Sequence, residues 1–416
     1  MTTISLLANK RLVLGVTGSI AGYKAVDLAS KLTQAGALVD VILTEAAERF
    51  VTPLTFQSVT GRPVYTEATL WGRTGHVPHV GLGESADLML IAPATAHTLA
   101  KLAHGLADNL LTVTALAARG PVMLAPAMDG GMYNHPAVQA NLALLRARGV
   151  WVIEPAVGRM ASGLEGMGRL PETPELIGRL RLALGQGGLL AGRRVMITAG
   201  PTQEPLDPVR YLSNHSSGKQ GLALAQAALD MGAQVTLVAG PISLPTPVGA
   251  VLAPVKTAMQ MHEAVMARLP ETDILVMAAA VGDFRPKNPS PHKIKKNRMS
   301  DDAPSLELIR NLDILMAVQA WRQAIQPPLL VVGFAAETQD VLAYGREKMQ
   351  HKGLDYIAIN DVGSADAGFA VDTNRVTLLG PQGLVVEMPL ADKTLIAEQI
   401  MQQVAQHPRL PPRPGG

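Results

Sequence analysis

Short, continuously apolar runs alternate along this chain with stretches whose apolar residues recur at helical spacing. From residue 11 the order is a strand (RLVLGVTG), a helix from Ser19 to Ala35, a strand (LVDVILT), a helix near Glu45 and a loop-rich section to about Gly83. Two more apolar runs, LMLIAPAT and PVMLAPAM, flank a helical stretch from Ala96 to Arg119, and another helix follows from Pro136 to Gly149. Strands that are apolar at consecutive positions need cover on both faces, and strands alternating with helices pair in parallel. The segment WVIEPAVGRMASGLEGMGRLPE has Gly-punctuated turns and little periodicity, which predicts a mobile flap.

The pattern then restarts. A helix from Thr173 to Leu184 runs into GQGGLLAGRR, whose glycines and polar residues predict a linker over 185–193. Beyond it come the apolar runs VMITAG, QVTLVAG, AVLAPV, ILVMAAAV, LLVVGFAA and YIAIND, separated by helices, and a β-rich stretch around RVTLLGPQGLVVEM. The fold class expected is α/β, two doubly wound Rossmann-like domains: a flavodoxin-like one over 1–184 and a second over 194–406. The end, HPRLPPRPGG, predicts a disordered tail over 407–416.

A length of 416 residues fits two domains better than one core. Thirty-six basic against 34 acidic residues leave a formal charge of +2, so the balance does not call for nucleic acid or an anionic membrane. There are no cysteines, which removes disulfides, thiolate metal sites and a cysteine nucleophile together. No apolar run approaches a membrane span and the first residues lack a cleavage site, so a cytoplasmic protein is expected.

Local clusters therefore carry the chemistry. LDPVRYLSNHSSGKQG, residues 206–221, sets Arg210, Asn214, Ser216, Ser217 and Lys219 between a strand and a helix, where anions collect at the strand's carboxyl end. AAAVGDFRP and HKIKKNR add Asp283, Lys293, Lys295 and Lys296. Together they point to nucleotide chemistry. No G-x-G-x-x-G follows the first strand, which argues against a dehydrogenase.

VTGSIAGYKA, APATAHTLAKLAHGLADNLLT and PAMDGGMY, in that order and followed by SNHSSGKQG, HKIKK and GREKMQHKGLD, resemble the bifunctional coenzyme A biosynthesis proteins across nearly the whole chain. The resemblance implies an FMN-dependent phosphopantothenoylcysteine decarboxylase followed by a CTP-dependent phosphopantothenate–cysteine ligase. For FMN it implies Gly18, Ser19, Thr44, Pro93, Ala94 and Thr95; Asp108 and Asn109 either contact the ring or cap a helix. His79 stands at the family's catalytic histidine. Two positions depart from the family pattern: Asp129 replaces the usual Asn, and Ser162 replaces the flap Cys expected to protonate the enethiolate. A serine hydroxyl is a far weaker acid than a thiol, so a protonated Asp129 is the expected replacement acid.

In the second half the resemblance places CTP against Met277, Ala278, Ala279, Asp283, Lys293, Leu312, Asp313, Ile314, Leu315, Phe334, Lys348 and Lys352. It gives Asn214 the role of stabilising the activated acyl intermediate, and Asp283 a role at Mg2+. Lys348 and Lys352, four residues apart, share one helical face, where a polyphosphate relieves their repulsion. Small-molecule substrates and a homo-oligomer, with trimeric flavin domains and dimeric ligase domains, are also implied. The departures leave one alternative: an active ligase joined to a flavin domain that only oxidises or does not decarboxylate.

Overall fold

The computed structural model describes residues 4–70, 77–159, 163, 165–295, 305–337, 341–361, 371–380 and 382–410. The chain divides into two compact units, Met1–Leu184 and Gly185–Gly416.

The first unit is built on six parallel strands: β1 (Arg11–Val16), β2 (Leu38–Leu43), β3 (Val64–Tyr65), β4 (Leu88–Ala94), β5 (Val122–Pro126) and β6 (Trp151–Val152). Their spatial order is β3-β2-β1-β4-β5-β6. The continuous apolar runs are explained by period-two alternation into two cores. Leu12, Leu14, Val16, Val39, Val41, Leu88 and Leu90 face one, against Leu28 and Leu32 of the helix Gly22–Gln34. Val13, Ile42, Met89 and Ile91 face the other, against Leu99, Leu110 and Leu142. Each fully buried leucine contributes roughly 1.5–3 kcal/mol of transfer free energy. Gly15 keeps its face flat because an added Cβ would lie 2.4 Å from Leu111 Cδ1.

The predicted flap contains regular structure. β7 (Ala156–Arg159) and β8 (Glu165–Arg169) form an antiparallel hairpin. Its glycines hide the strand period: Gly158 and Gly168 leave one face with no side chain to alternate. Ser162, between the two strands, lies outside the described residues.

In the second unit the parallel strands are β9 (Arg194–Ala199), β12 (Gln234–Ala239), β13 (Val251–Pro254), β14 (Ile274–Met277), β17 (Leu330–Glu337) and β18 (Tyr356–Asp361). Two small ladders, β10 (Gln203–Pro205) with β11 (Tyr211–Ser213) and β15 (Phe284–Pro286) with β16 (Leu308–Arg310), stand apart from the main sheet. β19 (Thr373–Gly380) and β20 (Gly383–Asp392) extend it antiparallel, giving β13-β12-β9-β14-β17-β18-β19-β20. The first six repeat the strand order of the first unit. A closing helix, Lys393–Ala405, follows the hairpin and packs on the helix Lys219–Asp230.

Two expectations are corrected. The stretch 185–193 is a packed turn, not an open linker: Leu190 is fully buried, its N–H donates to Met231 O at 2.8 Å, and a Cβ on Gly188 would lie 2.6 Å from Met231 backbone. Residues 407–410, expected in the tail, also pack against the unit. His407 is buried edge-on to Tyr356, and Arg409 pairs with Asp355 at 2.8 Å.

The same clasp closes the amino edge of both sheets. Arg11 N–H donates to Asp87 Oδ2 and Asp87 N–H to Arg11 O, each at 2.8 Å, with Lys10 Nζ on Asp87 Oδ1 at 2.9 Å. In the second unit Arg194 N–H and guanidinium both hold Asp273, at 2.8 Å to its two oxygens. Burial works to raise both carboxyl pKa values, but the cations and N–H groups outweigh it and hold them below the ordinary carboxylate value.

Candidate active sites

In each sheet the connections leave the central pair of strands in opposite directions, opening a crevice at the carboxyl edge, between β1 and β4 and between β9 and β14. A buried threonine stitches each crevice. Thr17 Oγ1 donates to Pro93 O at 2.6 Å and accepts from Thr95 N–H at 3.0 Å. Thr198 Oγ1 accepts from Ala279 N–H at 3.1 Å.

Gly18, Ser19, Thr44, Pro93, Ala94 and Thr95 gather at the first crevice. Gly18 is required by close approach, since a Cβ would lie 2.5 Å from Ala46 Cβ. Ser19 Oγ accepts from Ala21 N–H at 3.3 Å, and Thr44 Oγ1 accepts from Ala47 N–H at 3.3 Å. Thr95 caps the helix Ala96–His104. Beside them is a cavity of about 330 Å³ lined by Ser19, Tyr23, Lys24, Asp129, Arg159 and Arg169, among others. Lys24 Nζ donates to Glu172 Oε1 at 2.6 Å and Leu170 O at 3.1 Å. Asp129 caps the short helix Gly130–Tyr133, its Oδ1 accepting from Gly131 N–H at 2.9 Å.

His79 lies elsewhere, in the helix Pro78–Ser85, and does not line that cavity. Its Nδ1 is buried and has no partner among the described residues. Asn109 caps the helix Leu110–Ala117, accepting from Thr112 N–H at 2.9 Å. Asp108 pairs with Lys101 at 2.8 Å, and that hydrogen bond lowers its pKa.

At the second crevice Thr202 N–H donates to Ala280 O at 3.1 Å and its Oγ1 accepts from Gly282 N–H at 2.9 Å. Asn214 Nδ2 donates to Ala280 O at 3.1 Å, which sets it on the same edge. Gly218, at φ +78°, starts the helix Lys219–Asp230, and Gly221 lets that helix press on Ala199, where a Cβ would lie 2.5 Å away. One cavity, about 300 Å³, is lined by Ser216, Ser217, Lys219, Ala278, Asn360 and Lys393, among others. A second, about 480 Å³, is lined by Met277, Asp283, Leu312 to Leu315 and Lys352, among others. Ala279, Phe334 and Lys348 line both.

Asp313 caps the helix Ile314–Ile325 and pairs with Lys352 at 2.9 Å. Its burial favours the neutral acid, but Lys352 and Met316 N–H prevail and lower its pKa. Lys352 therefore has its own counter-ion, while no ion pair is recorded for Lys348 among the described residues. Arg210 is committed to the fold: it clasps the fully buried Asp207 carboxylate and donates to Ile294 O at 2.9 Å. That clasp, with three backbone N–H groups on Asp207, holds the Asp207 pKa far below its usual range. Lys293, in the strip so anchored, is exposed and lines neither cavity.

A family model described as Flavoprotein matches residues 3–181, and one described as DNA/pantothenate metabolism flavoprotein C-terminal domain matches residues 190–407. The coenzyme A biosynthesis bifunctional protein CoaBC of Bacillus subtilis is 46% identical over 404 residues, 96% of this chain and 98% of that protein. The protein of the same name from Mycobacterium tuberculosis is 45% identical over 406 residues, 95% of this chain and 96% of its own. The chain belongs to this family.

Among solved structures, the C-terminal domain of a coenzyme A biosynthesis bifunctional protein CoaBC is 36% identical at a TM-score of 0.44, covering 52% of this chain and 96% of that one. A PPC decarboxylase mutant complexed with pantothenoylaminoethenethiol is 33% identical at a TM-score of 0.38, covering 42% of this chain and 97% of that one.

For this CoaBC-family chain, sequence reasoning missed Lys24, Arg159 and Arg169 in the first unit and Asn360 and Lys393 in the second. Lys24 had a signal, a cation one turn into a helix that starts at a phosphate-type turn. Lys393 had none, because its position depends on the last helix folding back onto the helix Lys219–Asp230.

Proposed function

We propose that the chain is a bifunctional enzyme of coenzyme A biosynthesis: the second unit joins 4′-phosphopantothenate to cysteine, and the first decarboxylates the product to 4′-phosphopantetheine. The observation that carries this is the 46% identity to a bifunctional relative over 96% of the chain, both halves included.

In the first unit the residues fit FMN. Gly18 leaves the strand-to-helix turn without a Cβ, and the adjoining cavity carries Lys24, Arg159 and Arg169 for an anion. Gly18, Ser19, Thr44 and Pro93 to Thr95 would hold the cofactor, which when bound supplies the oxidation that labilises the carboxylate and the later reduction. The protein's own task is then proton transfer. Among the described residues, Asp129 is the one carboxylate lining that cavity. Its Oδ1 already accepts from Gly131 N–H, which fixes the carboxyl group at the cavity wall, and the protonated form delivers the proton to the enethiolate. His79, at the family's catalytic histidine position, serves as the base toward the substrate thiol or carboxylate.

In the second unit the carboxylate of 4′-phosphopantothenate attacks the α-phosphorus of CTP, pyrophosphate leaves, and cysteine displaces CMP from the acyl-cytidylate. Asn214 stabilises the activated acyl group from the crevice edge. Among the described residues no group of three His, Cys, Asp or Glu side chains could hold a metal ion. Mg2+ would therefore arrive on the triphosphate, with Asp283 as its protein contact. The cytoplasmic location and the homo-oligomer belong to the same reading; no helix among the described residues is long and apolar enough to cross a membrane.

The test is one incubation of purified protein with 4′-phosphopantothenate, cysteine and CTP, scored for pyrophosphate, carbon dioxide and product mass. Pyrophosphate and carbon dioxide should both appear, together with 4′-phosphopantetheine. Pyrophosphate without carbon dioxide would leave a ligase joined to a silent flavin unit.

A further inference from the structure

The two ligase cavities differ in charge. The first is lined by Lys219, Lys348 and Lys393 and, among the described residues, by no carboxylate. The second balances Asp283 and Asp313 against Arg310, Lys348 and Lys352, beside apolar side chains such as Met277 and Ile314. A nucleotide is charged at one end and apolar at the other, so this difference orients it, phosphates in the first cavity and base with ribose in the second.

Lys393 is only 5% exposed, and its Nζ donates to Val371 O at 2.6 Å. It opens the helix Lys393–Ala405 just as Lys219 opens the helix Lys219–Asp230, and these two helices pack together. Burial and the nearby Lys219 lower the Lys393 pKa, while Asp372 acts to raise it. Asp372 itself is 83% exposed and pairs with Lys219 at 2.6 Å.

The cavity also has a donor of fixed polarity. Arg375 N–H donates to Asn374 Oδ1 at 3.0 Å, so Asn374, 1% exposed, must turn its Nδ2 to Gln220 Oε1, at 3.2 Å. Gln220 is thereby left with Nε2, a buried donor that has no partner among the described residues. Asn360 Oδ1, in the same lining, is a buried acceptor also without one.

We propose that Lys393 and Gln220 grip the terminal phosphates of the nucleotide and stabilise the pyrophosphate as it leaves. In that step a carboxylate oxygen forms a bond to the α-phosphorus, the bond from the α-phosphorus to the oxygen it shares with the β-phosphorus breaks, and that oxygen departs with the electron pair. Asn360 Oδ1 accepts from the P–OH that pyrophosphate carries near neutrality. The inference rests on the ligase reading above and adds the grip on its leaving group.

Inorganic pyrophosphate titrated into the full-length protein by calorimetry tests it directly. Lys393→Met and Gln220→Glu should each weaken pyrophosphate binding about tenfold or more, the loss expected when a charge-assisted contact is removed or reversed. Gln220→Glu keeps the side chain's size, so it decides the matter if Lys393→Met does not fold. Unchanged affinity in Gln220→Glu, or in a folded Lys393→Met, would overturn the assignment while wild-type pyrophosphate release from CTP keeps the ligase reading. A wild-type protein that releases none from CTP, phosphopantothenate and cysteine overturns the ligase reading instead.

Discussion

The two units share a strand order, a threonine stitch and an aspartate clasp, yet they spend their cations differently. In the first, Lys24 is already engaged by Glu172, and Arg169 reaches the same carboxylate at 3.4 Å. In the second, Lys352 has Asp313, but the seam cation Lys348 has no recorded ion pair among the described residues. On the function proposed above, one scaffold thus serves a cofactor that stays and a polyphosphate that is cleaved and released. The sheet supplies the crevice, and a few side chains at its rim decide what enters.

The sharpest way to separate the units is Asn214→Ala. Ligation should fall by about 10²–10³-fold, the loss typical of one donor at a developing charge, with flavin absorbance and decarboxylation of added phosphopantothenoylcysteine intact. A parallel loss of decarboxylation would break the picture of two independent crevices. Next, Gly18→Val should leave the ligase working and bleach the protein, because its side chain must displace Ala46, whose Cβ lies 2.5 Å from where a Cβ on residue 18 would stand, at a cost of roughly 1–3 kcal/mol. Asp129→Asn restores the residue usual in the family and removes the proposed acid. Enethiol should then accumulate in place of phosphopantetheine by mass, and unimpaired turnover would return the proton to another group.

The smallest effects concern the clasps. Asp273→Asn should cost more than Asp87→Asn, on the order of 1–2 against 0.5–1 kcal/mol, because Asp273 loses a two-pronged guanidinium contact and Asp87 a partly exposed lysine. Both folded pKa values are lowered, so the stability each carboxylate adds is complete above the ordinary carboxylate value and is lost as pH falls through the lower folded value. Thermal melts from neutral to strongly acid pH should show the aspartate variants converging on the wild type at the acid end.

Much of the fold was legible because buried parallel strands write themselves as unbroken apolar runs. RLVLGV and RVMITA need no partner to be recognised, and their shared Arg start even marks the clasped edge. The crevice mouth was legible where glycine or a polar residue follows such a run, as at Gly18 and Ser19. The site was not legible where a residue's role depends on a distant neighbour. Arg210 reads as an anion ligand until Asp207 and Ile294 are seen to hold it. Asn109 stood between ring contact and cap until Thr112 turned toward it. The glycine-rich hairpin β7–β8 and the buried Lys393 carry no periodic mark at all.

Thr17 and Thr198 give both crevices one further property. Each ties neighbouring strand ends with side-chain hydrogen bonds to backbone, so the width of the mouth is set before anything arrives. Ordering these backbones is charged to folding rather than to association, and a guest meets a rigid gap that it need not organise.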